Sequence, residues 1–136
     1  MKREKTTPSI PSLKQITPFD LLDDPCLHRL VAASRLVRAE RGEILIQADE
    51  VSNCVHVVLD GEVKCLLLAP SGNEKLIRIA GPGEIFGEEA ALLGRPAMAM
   101  AQASRNTRLL HVPIALIREA MASVPSFAEA MTTRLA

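Results

Sequence analysis

The run Gly81-Pro82-Gly83-Glu84-Ile85-Phe86-Gly87-Glu88-Glu89-Ala90-Ala91-Leu92-Leu93-Gly94-Arg95-Pro96 holds the densest set of groups able to meet a ligand. Gly87 has no Cβ, so the backbone there can approach a bound molecule closely. A short helix is predicted from Glu88, and its first N–H groups lack intrahelical partners, a setting that attracts anions. Glu88 supplies a carboxylate that accepts hydrogen bonds, and Arg95 a nearby cation. This is the chemistry of holding a molecule, not of converting one. No nucleophile–base arrangement is visible, so the chain reads as a binding protein with no catalytic residue.

Other reactive side chains are scattered. Histidine occurs at His28, His56 and His111, and cysteine at Cys26, Cys54 and Cys65. No spacing fits a zinc site, a four-cysteine cluster is excluded by count, and Cys-x-x-Cys-His is missing, so no metal or haem is expected. The histidines read as structural, with their hydrogen bonds satisfied. Cys54 and Cys65 lie in strand-like apolar runs and read as buried, inert thiols. Met98 and Met100 sit at strand alternation and are expected to fill pocket or core.

The elements that position these residues follow from periodicity. Residues 1–16 are polar, contain Pro8 and Pro11, and read as a flexible arm, with one domain over 17–136. Thr17-Pro18 and Asp24-Pro25 each give a helix start, and Leu27, Leu30 and Val31 recur at helical spacing. Short strands are predicted at Arg35–Glu40, Ile44–Gln47, Val55–Leu59, Glu62–Leu68, around Leu76–Ile79, near Ala99–Ala103 and at Arg108–Val112. Asp60-Gly61 between apolar runs is the strongest hairpin signal. Pro70-Ser71-Gly72-Asn73 and Gly81-Pro82-Gly83 mark further turns. Many short strands with regular turns predict a mainly β jelly roll, or double-stranded β-helix, of about eight antiparallel strands with flanking helices. Helices return with Ile114, Ile117 and Met121, and then with Phe127, Met131 and Leu135. No stop signal follows, so the last helix reads as the start of a longer one.

Composition excludes several classes. Sixteen basic residues balance sixteen acidic ones, and 48% of residues are hydrophobic. That describes one globular domain and lacks the basic excess of a dedicated nucleic-acid binder. Three aromatic residues, all Phe, cannot build a base-stacking platform. No apolar run approaches a membrane span, no secretory signal is visible, and the sparse cysteines suit a cytoplasmic protein.

The run at 81–96 resembles the phosphate-binding cassette of the cyclic-nucleotide-binding domain of Crp/Fnr-family bacterial regulators. Arg41-Gly42-Glu43-Ile44-Leu45, Asp60-Gly61-Glu62-Val63 and Ser71-Gly72-Asn73-Glu74 match further marks of that family in the correct order. The resemblance covers residues 19–136. It implies a jelly-roll sensor that binds a small-molecule effector such as a cyclic nucleotide, dimerises through a terminal helix, and reaches DNA through a helix-turn-helix domain outside this chain. A free-standing module acting on a partner protein is the alternative. By themselves Gly87 and Glu88 could form a strand-to-helix turn with an exposed carboxylate. Within this pattern the ligand-facing set is Phe86, Gly87, Glu88, Glu89, Ala90, Arg95, Ala97 and Met98, with Glu88 matching the carboxylate that takes the ribose hydroxyl.

One departure matters. The family places Arg and then Ser or Thr, the partners of the cyclic phosphate, where this chain has Ala97 and Met98. Neither can donate a hydrogen bond. Loss of one partner of a buried charged pair costs roughly 2–5 kcal/mol. Glu89 adds negative charge, and Arg95 is the one nearby cation able to substitute. The expectation is weak or absent cAMP binding and a less charged or more apolar effector.

Overall fold

The computed structural model describes residues 2–3 and 13–134. In chain order its elements are β1 (Lys2–Arg3), a 3-10 turn (Phe19–Leu21), α1 (Asp24–Ala33), β2 (Arg35–Ala39), β3 (Ile44–Ile46), β4 (Cys54–Asp60), β5 (Val63–Leu68), β6 (Glu74–Ala80), β7 (Ile85–Phe86), α2 (Glu88–Leu93), β8 (Met100–Ala103), β9 (Thr107–Pro113), α3 (Ile114–Ser123) and α4 (Pro125–Thr133). Two antiparallel sheets form, ordered β1-β2-β9-β4-β7 and β3-β8-β5-β6. The pairs β2/β9, β3/β8, β4/β7 and β5/β6 nest inside one another. Strands β2–β9 are therefore one long antiparallel ribbon, turned at Ala69–Asn73 and rolled into two sheets. That is the jelly roll expected from the sequence.

Burial follows strand alternation. In β4, Val55 and Val57 face the helices, whereas Val58 faces the opposite sheet; in β9, Leu110 and Val112 face the helices and Leu109 the other sheet. Both strands are covered on both faces, which explains their nearly continuous apolar sequence. One core lies between the five-stranded sheet and the helices, and the other fills the space between the sheets. Ala39, Ala97, Ala101 and Ala103 face that second space and keep part of it open.

Val55–Leu59 and Glu62–Leu68 do not form the expected hairpin. β4 pairs with β9 and β7, while β5 pairs with β6 and β8, so the two runs lie in different sheets. Gly61 has φ of 95° and Asp60 has no positive φ, although a two-residue type I′ turn needs positive φ at both. Instead Asp60-Gly61 begins an arch between sheets. The Glu62 N–H donates to Thr107 Oγ1 at 3.1 Å, and the Ser104 N–H donates to Glu62 O at 3.0 Å. A Cβ on Gly61 would stand 2.5 Å from Asn106 O and from Thr107 Oγ1, so only glycine fits the crossing of these two arches.

The helices also shift from their expected starts. Asp23, not Asp24, caps α1, its side chain accepting from the Cys26 N–H at 3.0 Å. Thr17-Pro18 leads into a 3-10 turn that starts at Phe19. Leu13 and Ile16 are buried in the helix-side core, so the packed unit begins before the boundary drawn at Thr17. The rest of the expected arm, apart from residues 2–3, Lys14 and Gln15, lies outside the described residues. In α4, Phe127 and Met131 are fully buried in the chain's own core, and Phe127 packs on Phe19 with ring centroids 5.9 Å apart. Leu135 lies outside the described residues.

Candidate functional site

A cavity of about 280 Å³ opens between β5, β6, α2 and the segment leading into β8. Phe86, Gly87, Glu88, Glu89, Ala90, Arg95, Ala97 and Met98, the whole set singled out from the sequence, line it. Gly87 takes φ of 77° and caps α2. A Cβ there would lie 3.0 Å from His56 Nδ1 and 3.1 Å from Ile46 Cδ1, so the turn sits directly on the barrel interior. The helix it starts has six residues, under two turns, and two glutamates in its first turn already face its positive end.

Glu88 is 7% exposed. Its Oε1 lies 3.6 Å from Arg134 Nε and 3.8 Å from Arg78 Nη1. These are ion pairs beyond hydrogen-bond length, so the carboxylate is held by charge and keeps lone pairs for a donor. Arg78 comes from β6 and Arg134 from the end of α4. Neither was in the sequence-derived set. The signal for Arg78 was present: it is the one cation between Leu76-Ile77 and Ile79. Arg134 had no such signal, because only the packing of α4 brings it to α2.

The segment after α2 has little charge to offer. Ala97 is buried, its backbone paired with the loop at residues 49–50 through Ala97 N–H to Glu50 O at 2.8 Å and Asp49 N–H to Ala97 O at 2.7 Å. Met98 is 82% exposed at the cavity mouth, and β8 begins only at Met100. Met98 thus lines the pocket at its edge and fills no core, because the strand that would turn it inward has not yet started. Arg95 and Glu89 are both exposed at the rim.

Cys65 also lines the cavity instead of being sealed in the core, because its partner across β5/β6 is Arg78 and both side chains point inward. Burial raises its thiol pKa, with Arg78 opposing and Glu88 adding to the rise. Beneath Gly87, His56 stacks on Phe86 with centroids 4.9 Å apart and meets His111 edge-on at 4.4 Å. Both rings are buried, yet His56 Nδ1 and His111 Nε2 have no hydrogen-bond partner among the described residues, contrary to the expectation of satisfied histidines. Burial, then the charges of His111 and Arg35, lowers the His56 pKa to about 3; burial and then Arg35 lowers His111 to about 4. Among the described residues no group of His, Cys, Asp or Glu could hold a metal ion, and no helix is long and apolar enough to cross a membrane.

A family model described as the cyclic nucleotide-binding domain matches residues 36–124. The chain belongs to that family. Solved structures with a similar fold include the sensor domain of the transcriptional regulator DNR from Pseudomonas aeruginosa, with a TM-score of 0.85 at 24% identity, covering 92% of this chain and 84% of that one. The regulatory domain of Toxoplasma gondii PKA, solved with cAMP, gives a TM-score of 0.74 at 26% identity over 81% of this chain and 42% of that chain. An uncharacterized ABC transporter ATP-binding protein of Mycobacterium tuberculosis is 29% identical over 83 residues, 61% of this chain. The chain spans only 25% of that relative.

Proposed function

We propose that this domain is the effector-sensing half of a Crp/Fnr-like transcription regulator whose cavity disfavours cAMP. The observation that carries the second part is the apolar character of Ala97 and Met98, where the family places the cation and hydroxyl that hold a cyclic phosphate. A phosphate entering here loses its water without an equivalent donor and meets Glu89 at the rim. Arg95, exposed beyond the helix, would have to fold back to replace the missing guanidinium.

Glu88 supports a route for the signal. A ligand hydroxyl donating to its carboxylate competes with Arg134 at the end of α4, so occupancy of the cavity bears on the last helix. In the intact protein that helix would lead to a dimer contact and to a DNA-binding domain, with DNA reached only through the latter. The alternative is a free-standing module that regulates a partner protein, a reading supported by the similarity to the regulatory domain of Toxoplasma gondii PKA. Calorimetric titration of the protein with cAMP and cGMP tests the effector reading. No saturable binding at micromolar ligand is expected. Tight cAMP binding that Arg95→Ala abolishes would show that Arg95 has taken over the phosphate and that the reading is wrong.

A further inference from the structure

We propose that Arg78 makes this cavity a receptor for an amphipathic organic carboxylate, one negative charge on an apolar body. The inference deepens the effector-sensing reading above by naming the class of ligand.

Alternation from the buried Ala80 turns Arg78 inward, next to a β-bulge. Cys65 pairs with Arg78 and Leu66 with Leu76, so Ile77 is an extra residue on β6. Bulges re-aim side chains next to binding sites. Here both Ile77 and Arg78 line the cavity, which strict alternation would forbid. The guanidinium has five N–H donors. Among the described residues one donates to Ile85 O at 2.6 Å, which fixes the group, and Nη1 stands 3.8 Å from Glu88 Oε1, beyond hydrogen-bond reach. Donors are therefore left for a ligand, on a side chain that is 36% exposed and reached from the cavity.

Charge sets the number of negative groups. Arg78 and Arg134 share the single carboxylate of Glu88, so the inner site carries one positive charge in excess. At the rim Arg95 and Glu89 oppose each other. A carboxylate meets a guanidinium through two parallel hydrogen bonds, the geometry an arginine fixed at one nitrogen still offers. The remaining walls include Ile46, Leu67, Ile77, Ala97 and Ala101. They suit an alkyl or aryl body and leave the ring nitrogens of a nucleotide base without partners.

Octanoate and its neutral isostere octanamide are the probes, titrated into the wild-type protein, Arg78→Gln and Arg78→Lys. Octanoate is expected to bind the wild type at least roughly tenfold more tightly than octanamide. Arg78→Gln should erase that preference and Arg78→Lys should keep part of it, with thermal melts confirming that each variant folds. Should Arg78→Gln fail to fold, the wild-type comparison decides. Equal affinity for the two probes, or no saturable octanoate binding, overturns the proposal. cAMP titrated in parallel separates the two readings: tight cAMP binding defeats the effector reading, whereas absence of both cAMP and octanoate binding defeats this inference alone.

Discussion

The buried carboxylate of Glu88 and the Nε of Arg134 lie 3.6 Å apart, joining the start of α2 to the end of α4. Arg134 is 28% exposed on its side chain and, among the described residues, its Nε has no hydrogen-bond partner and faces Glu88 as its compensating charge. Breaking a fully buried pair costs about 3–5 kcal/mol and an exposed one under about 1, so this partly exposed pair should fall between. Arg134→Gln is expected to lower stability in urea unfolding by about 1–2 kcal/mol. A double-mutant cycle with Glu88→Gln should show coupling, and additive losses would mean that the two elements are not joined through these groups.

Acid should unfold the domain through His56 and His111. Both have pKa values lowered in the folded state, to about 3 and about 4, against 6.5 when unfolded. Between those limits the unfolded chain binds more protons, so stability is full above pH 6.5 and falls as pH drops toward the folded values. Each histidine then costs about 1.4 kcal/mol per pH unit. Urea midpoints between pH 7.5 and 4.5 should fall steeply below pH 6.5, and His56→Phe should flatten the limb while keeping the ring stack on Phe86. An unchanged slope would place the proton uptake elsewhere.

Two glycines separate backbone strain from crowding. Gly61 and Gly87 both take positive φ, so alanine is strained at either, by about 1 kcal/mol or more. At Gly61 the new Cβ meets the Asn106 backbone oxygen at 2.5 Å, whereas at Gly87 it meets side-chain atoms no closer than 3.0 Å. Gly61→Ala should therefore destabilise more than Gly87→Ala. The reverse order in denaturant midpoints would contradict the arch at Gly61.

The apolar stripe of α4 serves the chain's own core. Phe127→Ala should cost about 3–5 kcal/mol, the range for a large buried aromatic, and the loss should not depend on protein concentration. A loss that shrinks as concentration rises would instead place Phe127 at an interface between subunits.

Much of this was legible in the sequence. Strand positions followed from β-branched runs between turn residues, and the cassette at 81–96 could be read because its groups are contiguous. Partner choice was not legible. Asp60-Gly61 announces a change of direction, but whether β5 returns beside β4 or crosses to the other sheet is decided at Thr107, far along the chain. Arg78 was legible as the one cation alternating with inward Ala80, whereas Arg134 escaped because only helix packing brings it to Glu88. Met98 reaches only the cavity mouth because, although its neighbours alternate like a strand, the backbone at Ala97 is still bound to the loop at 49–50.

The central claim is that Ala97 and Met98 leave the cassette without a partner for a cyclic phosphate. The direct measurement is cAMP affinity of the wild type against Ala97→Arg/Met98→Ser by calorimetry, with thermal melts to confirm folding. Restoring the guanidinium and hydroxyl should raise affinity by at least roughly tenfold, about 1.4 kcal/mol, over a wild type that binds weakly or not at all. Tight binding by the wild type, with no gain in the double variant, would contradict the account.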